Sequence, residues 1–261
     1  MTPDELAEVG LRLDVAGAVA TVTLDRPDRR NAQTPAMWTA LARLGRDLTG
    51  DVRVVVVTGT GPSFSAGLDL QMFTPEGIPG APSFVDIARA ADDEADVTIA
   101  AFQEAFSWLL RPDLLTVAAV RGHAVGAGFQ LALACDFRVC ADDAQFTMAE
   151  VTRGIVPDLG GTGILAELVG YSRALEICVT GRRVSANEAM GIGLANVVVP
   201  GEELDATVAD LVAALLAAPR DAAVETKALL RAARLRSLDE QRSYERAAQL
   251  RRLRDLAGLG E

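Results

Sequence analysis

Two unbroken apolar runs constrain this 261-residue chain most: Val54-Val-Val-Val-Thr58, and the stretch from Leu114 to Val120 that leads into a glycine-rich turn. A strand with one face in water alternates polar and apolar residues. A strand without alternation is covered on both faces, as in a parallel sheet flanked by helices. Helical patterns occupy the intervals. Thr34 before Pro35 offers an N-cap with proline at the first helical position, and Met37, Leu41 and Leu44 follow at helical spacing, so a helix is predicted from about 35 to 48. Residues 11 to 24 alternate on either side of a turn at Ala16-Gly17 and read as a hairpin. Strand-then-helix units of this kind predict an α/β core.

Further along, 74 to 83 is rich in Pro and Gly and reads as a surface loop, while Asp86 to Leu110 reads as one helix with Ile87, Ile99, Phe102, Phe106 and Leu109 on its apolar side. Short strands are expected at Asp136 to Val139 and around Gln145-Phe146. Ser185-Ala-Asn-Glu188 has the form of a capping box, and beyond Pro200 the chain is almost entirely helix-forming. The expected organisation is a core over 1–199 and a C-terminal helical region over 200–261.

Charge and cysteine content narrow the function classes. The net charge of −11, from 36 Asp plus Glu against 25 Lys plus Arg, repels a polyanion, so nucleic acid is not expected as a partner. The arginines near the C-terminus are interleaved with Asp239, Glu240, Glu245 and Asp255, as on a solvated or intersubunit helix face. No run of roughly 18 apolar residues is present, so no membrane span is expected. The acidic opening Met1-Thr-Pro-Asp-Glu is unlike a signal peptide. Three cysteines without CxxC spacing and a single histidine argue against a disulfide framework or a metal site, and a cytoplasmic setting is expected.

Three segments join glycine to polar residues at the ends of predicted elements: Phe64-Ser-Ala-Gly-Leu-Asp-Leu70, Gly122-His-Ala-Val-Gly-Ala-Gly-Phe-Gln130, and the stretch from Glu150 to Thr162 that contains Asp158. Gly126-Ala-Gly128 follows a strand and opens a helix but lacks the third glycine of a dinucleotide fingerprint, since position 131 is Leu. Its glycines let a ligand approach the backbone, and the first N–H groups of the helix have no intrahelical partner. Such donors, with the helix dipole, favour an anionic oxygen. His123 has no adjacent nucleophile pattern and reads as structural.

In this order, the three segments resemble the crotonase family, also called the enoyl-CoA hydratase/isomerase family. Supporting stretches are Leu24-Asp-Arg-Pro-Asp-Arg-Arg-Asn-Ala32, Ala134-Cys-Asp-Phe-Arg138, Gly160-Gly-Thr162, Thr180 to Ala189 and Gly193 to Pro200. The resemblance implies a crotonase-type spiral of ββα repeats with a C-terminal helical trimerisation region, giving a homotrimer or a hexamer built as a dimer of trimers. It implies an acyl-CoA substrate, with coenzyme A as part of the thioester and no further cofactor.

Carried over by position, the N–H groups of Leu68 and Ala127 look like the family's oxyanion hole, with Ala66, Gly67, Asp69, Leu70 and Gly126 around the bound thioester. Arg29, Arg30 or Lys227 are the candidate cations for the CoA phosphates. The hydratases hold a water between two glutamates; the second position is Glu150, but the first is Gln130, which cannot exchange a proton near neutral pH. Asp158, eight positions after Glu150, is similar to the dienoyl-CoA isomerase branch. Isomerisation of an enoyl- or dienoyl-CoA by Glu150 and Asp158 is therefore the favoured expectation. Enoyl-CoA hydration and a non-catalytic acyl-CoA binding protein are the alternatives. The family's dehalogenase branch needs a histidine base, and the lone His123 lies just before the oxyanion turn. Phe129, Met72, Phe73 and the 84–110 segment are expected to shape the acyl pocket.

Overall fold

The computed structural model describes residues 1–48 and 50–260. A short helix, α1 (Pro3–Glu8), precedes the expected hairpin of β1 (Leu11–Ala16) and β2 (Val19–Leu24), in which Leu11 faces Leu24. Helix α2 (Pro35–Asp47) is capped as predicted, the Thr34 hydroxyl accepting from Met37 N–H at 3.2 Å. The two apolar runs are β3 (Val54–Gly59) and β4 (Leu115–Val120), paired in parallel with Val54 beside Leu115.

Between them the single helix expected over 86–110 is two. Helix α3 (Phe84–Arg89) starts at a Ser83–Asp86 capping box, and α4 (Asp92–Ser107) starts after two extended residues, Ala90 and Ala91, and is followed by a 3-10 turn to Leu110. Three consecutive acids, Asp92, Asp93 and Glu94, occupy the first turn of α4, where the positive end of a helix dipole favours them. The same acids in mid-helix would have no such partner, which favours a fresh start there.

The remaining elements run β5 (His123–Val125), α5 (Ala127–Ala134), β6 (Phe137–Ala141), β7 (Gln145–Thr147), α6 (Gly161–Val169), α7 (Tyr171–Thr180), β8 (Arg183–Ser185), α8 (Ala186–Gly191) and β9 (Val197–Val199). Three helices close the chain: α9 (Leu204–Ala217), α10 (Arg220–Ala232) and α11 (Leu238–Leu256). Ser185 caps α8, but the reciprocal half of the expected box is missing because the Glu188 carboxylate is taken by Arg182 at 2.6 and 2.9 Å.

Strands are dealt to two sheets in turn. One sheet has the order β1-β2-β3-β4-β6-β9 and the other β5-β7-β8. From β4 to β5 and from β6 to β7, each ββα unit gives its first strand to the large sheet and its second to the small one, so the chain advances as a spiral. Ser65, which follows β3, bridges in parallel to Ala124 of β5, and Leu68 bridges to Gln33. These bridges extend the small sheet toward the N-terminal motif and carry the 64–70 segment to the start of α5.

The large sheet is covered on both faces, as its lack of alternation requires. Val55, Val57, Ala118 and Val120 point into the main core with Phe64, Phe129 and Phe146; Val54, Val56, Val117, Ala119, Val139 and Ala141 point the other way. That second face is sealed by Leu204, Val208 and Val212, one per turn along α9. Each such side chain contributes roughly 1.5–3 kcal/mol on full burial. No helix among the described residues is long and apolar enough to cross a membrane.

Candidate active site

The site lies where the 64–70 segment meets the N-terminus of α5. Gly67 has φ +86, and a Cβ there would fall 2.4 Å from the Val125 carbonyl oxygen and 3.5 Å from the Ala127 nitrogen. Only glycine permits that approach. It brings the amide that follows, Leu68 N–H, beside Ala127 N–H, the first residue of α5. Among the described residues neither N–H donates a hydrogen bond within the chain. Two unpartnered donors at the positive end of a helix form a receptor for an oxygen that gains negative charge.

A buried polar network fixes this pair. The Ser65 hydroxyl, fully buried, donates to the Asn31 carbonyl at 2.8 Å and accepts from Gly67 N–H at 3.1 Å and from Gln33 Nε2 at 3.1 Å. Gln33 Oε1 accepts from the Trp38 indole at 2.7 Å, while its backbone bonds both ways to the oxyanion segment, Gln33 N to Gly67 O at 2.7 Å and Asp69 N to Gln33 O at 2.8 Å. Asn31 Nδ2 donates to the carbonyls of Thr60 and Ser63. Sequence reasoning quoted Asn31 and Ser65 inside motifs without a role and did not single out Gln33 or Trp38. The available signal was their polarity next to apolar positions, since a polar side chain held in a core has partners.

Glu150 opens a 3-10 turn, Glu150–Arg153, after β7. A Cβ on Gly126 would stand 3.3 Å from Glu150 Oε1, so this carboxyl borders the turn that carries Ala127. Gln130, on the first turns of α5, donates from Nε2 to Glu150 Oε1 at 2.7 Å, and its own Oε1 accepts from Leu159 N at 2.9 Å and Gly161 N at 3.2 Å. Glu150 Oε2 is buried with no hydrogen-bond partner among the described residues. Burial pushes the Glu150 carboxyl above the ordinary carboxylate range, and the nearby Asp158 carboxylate pushes it the same way. Burial likewise raises Asp158, whose backbone carbonyl is held by Gln103 of α4 at 2.6 Å.

These groups line one cavity of about 100 Å³. Ala66, Gly67, Leu68, Leu70, Gly126, Ala127, Glu150 and Asp158 all border it, and Trp38, Phe73, Phe84, Phe102 and Ile155 supply apolar wall. Gln130 does not border it; it is buried behind Glu150 and acts on that carboxyl. Phe129 and Met72 are also absent from the wall, because both are fully buried in the core, Phe129 against Phe146 with ring centroids 5.1 Å apart. Asp69 borders neither wall nor solvent: it caps the 3-10 turn Leu70–Phe73 and pairs with Arg26 at 3.2 Å.

The candidate cations separate. Arg29 and Arg30 are exposed, and Arg30 adjoins the site through its carbonyl, which accepts from Ala66 N–H at 2.8 Å. Lys227 is not brought there. Its ammonium is buried and donates to Asp136 at 2.7 Å and to the Leu114 carbonyl at 2.6 Å. It borders a different and larger cleft, about 740 Å³, between the sheet, α6, α9 and α10. Two cations of that cleft are occupied, Lys227 as above and Arg138 by the carbonyls of Leu194, Ala132 and Cys135, while a third, Arg231, is exposed; burial pushes the Cys135 thiol up to about 12. The unpartnered amides of Leu68 and Ala127 and the carboxyls of Glu150 and Asp158 border the smaller cavity, not that cleft.

Comparison with known proteins agrees with this geometry. The family model for enoyl-CoA hydratase/isomerase matches residues 14–252. Human mitochondrial Delta(3,5)-Delta(2,4)-dienoyl-CoA isomerase is 34% identical over 87% of this chain and 69% of its own length. Carnitinyl-CoA dehydratase of Salmonella arizonae is 35% identical over 92% of this chain and 87% of its own length. A Thermobifida fusca protein provisionally described as an enoyl-CoA hydratase, solved in complex with CoA, superposes with a TM-score of 0.94 at 51% identity, covering 99% of this chain and 98% of that one. The same protein has been solved with acetoacetyl-CoA. With the crotonase fold, the glycine-shaped pair of free amides and this match over most of its length, the chain belongs to the enoyl-CoA hydratase/isomerase family of enzymes.

Proposed function

We propose that this enzyme isomerises the double bond of an enoyl- or dienoyl-CoA. The observation that carries the reading is the state of Gln130: both its carbonyl oxygen and its amide are engaged, the amide on Glu150, so the second carboxyl that would flank a water for hydration is replaced by a group that neither gives nor takes a proton. In the proposed reaction the thioester oxygen accepts from Leu68 and Ala127 N–H. Glu150 Oε2 removes the proton from Cα, and the electron pair of that C–H bond delocalises through the thioester as an enolate. The protonated Asp158 then returns a proton to the far carbon of the conjugated system as the double bond shifts. The upward shift of both carboxyls, caused first by burial, suits such a relay, since it favours retention of the proton that one of them must donate.

Arg29 and Arg30 are the proposed phosphate contacts. The exposed apolar residues of the C-terminal region, Leu230, Leu235, Leu253 and Leu256, support assembly into a trimer or a pair of trimers.

Following crotonyl-CoA, 3-enoyl-CoA and 3,5-dienoyl-CoA spectroscopically tests the reaction. Isomerisation of a 3-enoyl or 3,5-dienoyl thioester is expected, with Glu150→Gln and Asp158→Asn each slower by roughly 10²-fold or more. Hydration of crotonyl-CoA that survives both substitutions would refute the acid/base assignment. Tight acyl-CoA binding with no turnover would favour a binding protein.

A further inference from the structure

Arg153 borders the same cavity, and among the described residues it is the only cation on its wall. Its guanidinium lies over the Phe73 ring, 5.9 Å from the centroid, and Phe73 is in turn braced edge-on by Phe84 at 4.8 Å. Among the described residues no carboxylate pairs with it: Asp69 is taken by Arg26, and neither Glu150 nor Asp158 makes an ion pair with it. Stacking uses the face of a guanidinium and leaves its N–H edge free. A purely apolar acyl chain gains nothing from that edge and displaces the water around it, which is unfavourable. A carboxylate matches it with two parallel hydrogen bonds.

Position decides which part of a ligand would meet it. Arg153 ends the 3-10 turn that Glu150 begins, so its backbone stands roughly 6 Å along the axis from that of Glu150 at about 2 Å per residue. The side chain extends from there to the Phe73 ring of the wall. The guanidinium thus stands over Phe73 on the apolar wall of the cavity, whereas the Glu150 carboxyl borders the oxyanion turn.

Building on the acyl-CoA reading above, we infer that Arg153 makes this pocket selective for acyl thioesters whose chain ends in a carboxylate. Such a group would otherwise be repelled by Glu150, and Arg153 supplies the compensating charge.

Calorimetric titration with hexanoyl-CoA, adipoyl-CoA and free CoA tests this without turnover. The wild type should bind adipoyl-CoA roughly tenfold or more tightly than hexanoyl-CoA, as a charge-assisted pair allows. Arg153→Leu should bring that ratio close to one, and Arg153→Lys, which keeps charge without the planar fork, should fall between. A wild-type ratio near one, or a ratio that persists in Arg153→Leu, overturns the inference. So does an equal weakening of all three ligands in Arg153→Leu, which would make Arg153 a contact of the CoA moiety. Failure to isomerise with the binding preference intact would refute the reaction but leave the selectivity standing; no binding of any acyl-CoA would refute the acyl-CoA reading itself.

Discussion

At the scale of single residues, the account turns on a carboxyl whose two oxygens are treated differently. Gln130 is locked by two backbone amides and can only donate to Glu150 Oε1, so any proton on Glu150 resides on Oε2, the oxygen without a partner. The folded Glu150 titrates above its unfolded value because of burial. The wild type therefore carries no penalty below the unfolded pKa and loses stability as pH rises through the folded one. Glu150→Gln should leave the melting temperature unchanged near about pH 4 and raise it near about pH 8, by roughly 2–4 °C for each kcal/mol removed. A difference that does not grow with pH would contradict the burial argument. The two carboxyls on the cavity wall were legible from the sequence, since Glu150, Asp158 and the Gln130 departure occupy family positions, whereas Arg153 on the same wall lies inside a quoted motif with nothing local to mark it. That Gln130 stands behind Glu150, out of the cavity, was not legible, because it depends on the distant Leu159 and Gly161 amides folding over it.

At the scale of elements, the oxyanion pair exists only because the small sheet is continued through isolated bridges at Ser65 and Leu68. Ser65 is the joint of that extension, with one bond given and two received. Ser65→Ala should cost about 1–3 kcal/mol of stability for the unsatisfied partners. It should also lower kcat more than it raises KM, because a loosened Leu68 amide loses its aim at the transition state before ground-state affinity is lost. A change in stability alone, with both kinetic constants unaltered, would reduce Ser65 to packing. The regular elements β1 to β4 and α2 were readable because period and capping are local. The break between α3 and α4 was less visible, since Ala90 and Ala91 are not helix breakers and only the acidic run after them marks a new start. The Ser65 hub joins residues more than thirty positions apart, a contact no local pattern announces.

For the molecule as a whole, the C-terminal helices are tied to the sheet at two places. Helix α9 seals the outer face, and Lys227 of α10 anchors on Asp136, between α5 and β6. Sequence reading found a helical region there but offered Lys227 as a phosphate contact, because a lysine's burial depends on where α10 packs. Lys227→Met should leave the Asp136 carboxylate short of its counter-charge at a cost of about 3–5 kcal/mol, and Asp136→Asn in the same chain should recover part of it. Weakened CoA binding with an unchanged melting temperature would instead return Lys227 to the phosphates. The central claim, that Glu150 and Asp158 relay a proton across an enolate held by Leu68 and Ala127, is tested most directly by product analysis in deuterated water. With a 3,5-dienoyl-CoA, the account predicts a product isomeric with the substrate, carrying solvent deuterium at the carbon far from the thioester and formed far more slowly by Glu150→Gln. A product heavier by the elements of water, or one formed at the wild-type rate by the Glu150→Gln variant, would contradict it.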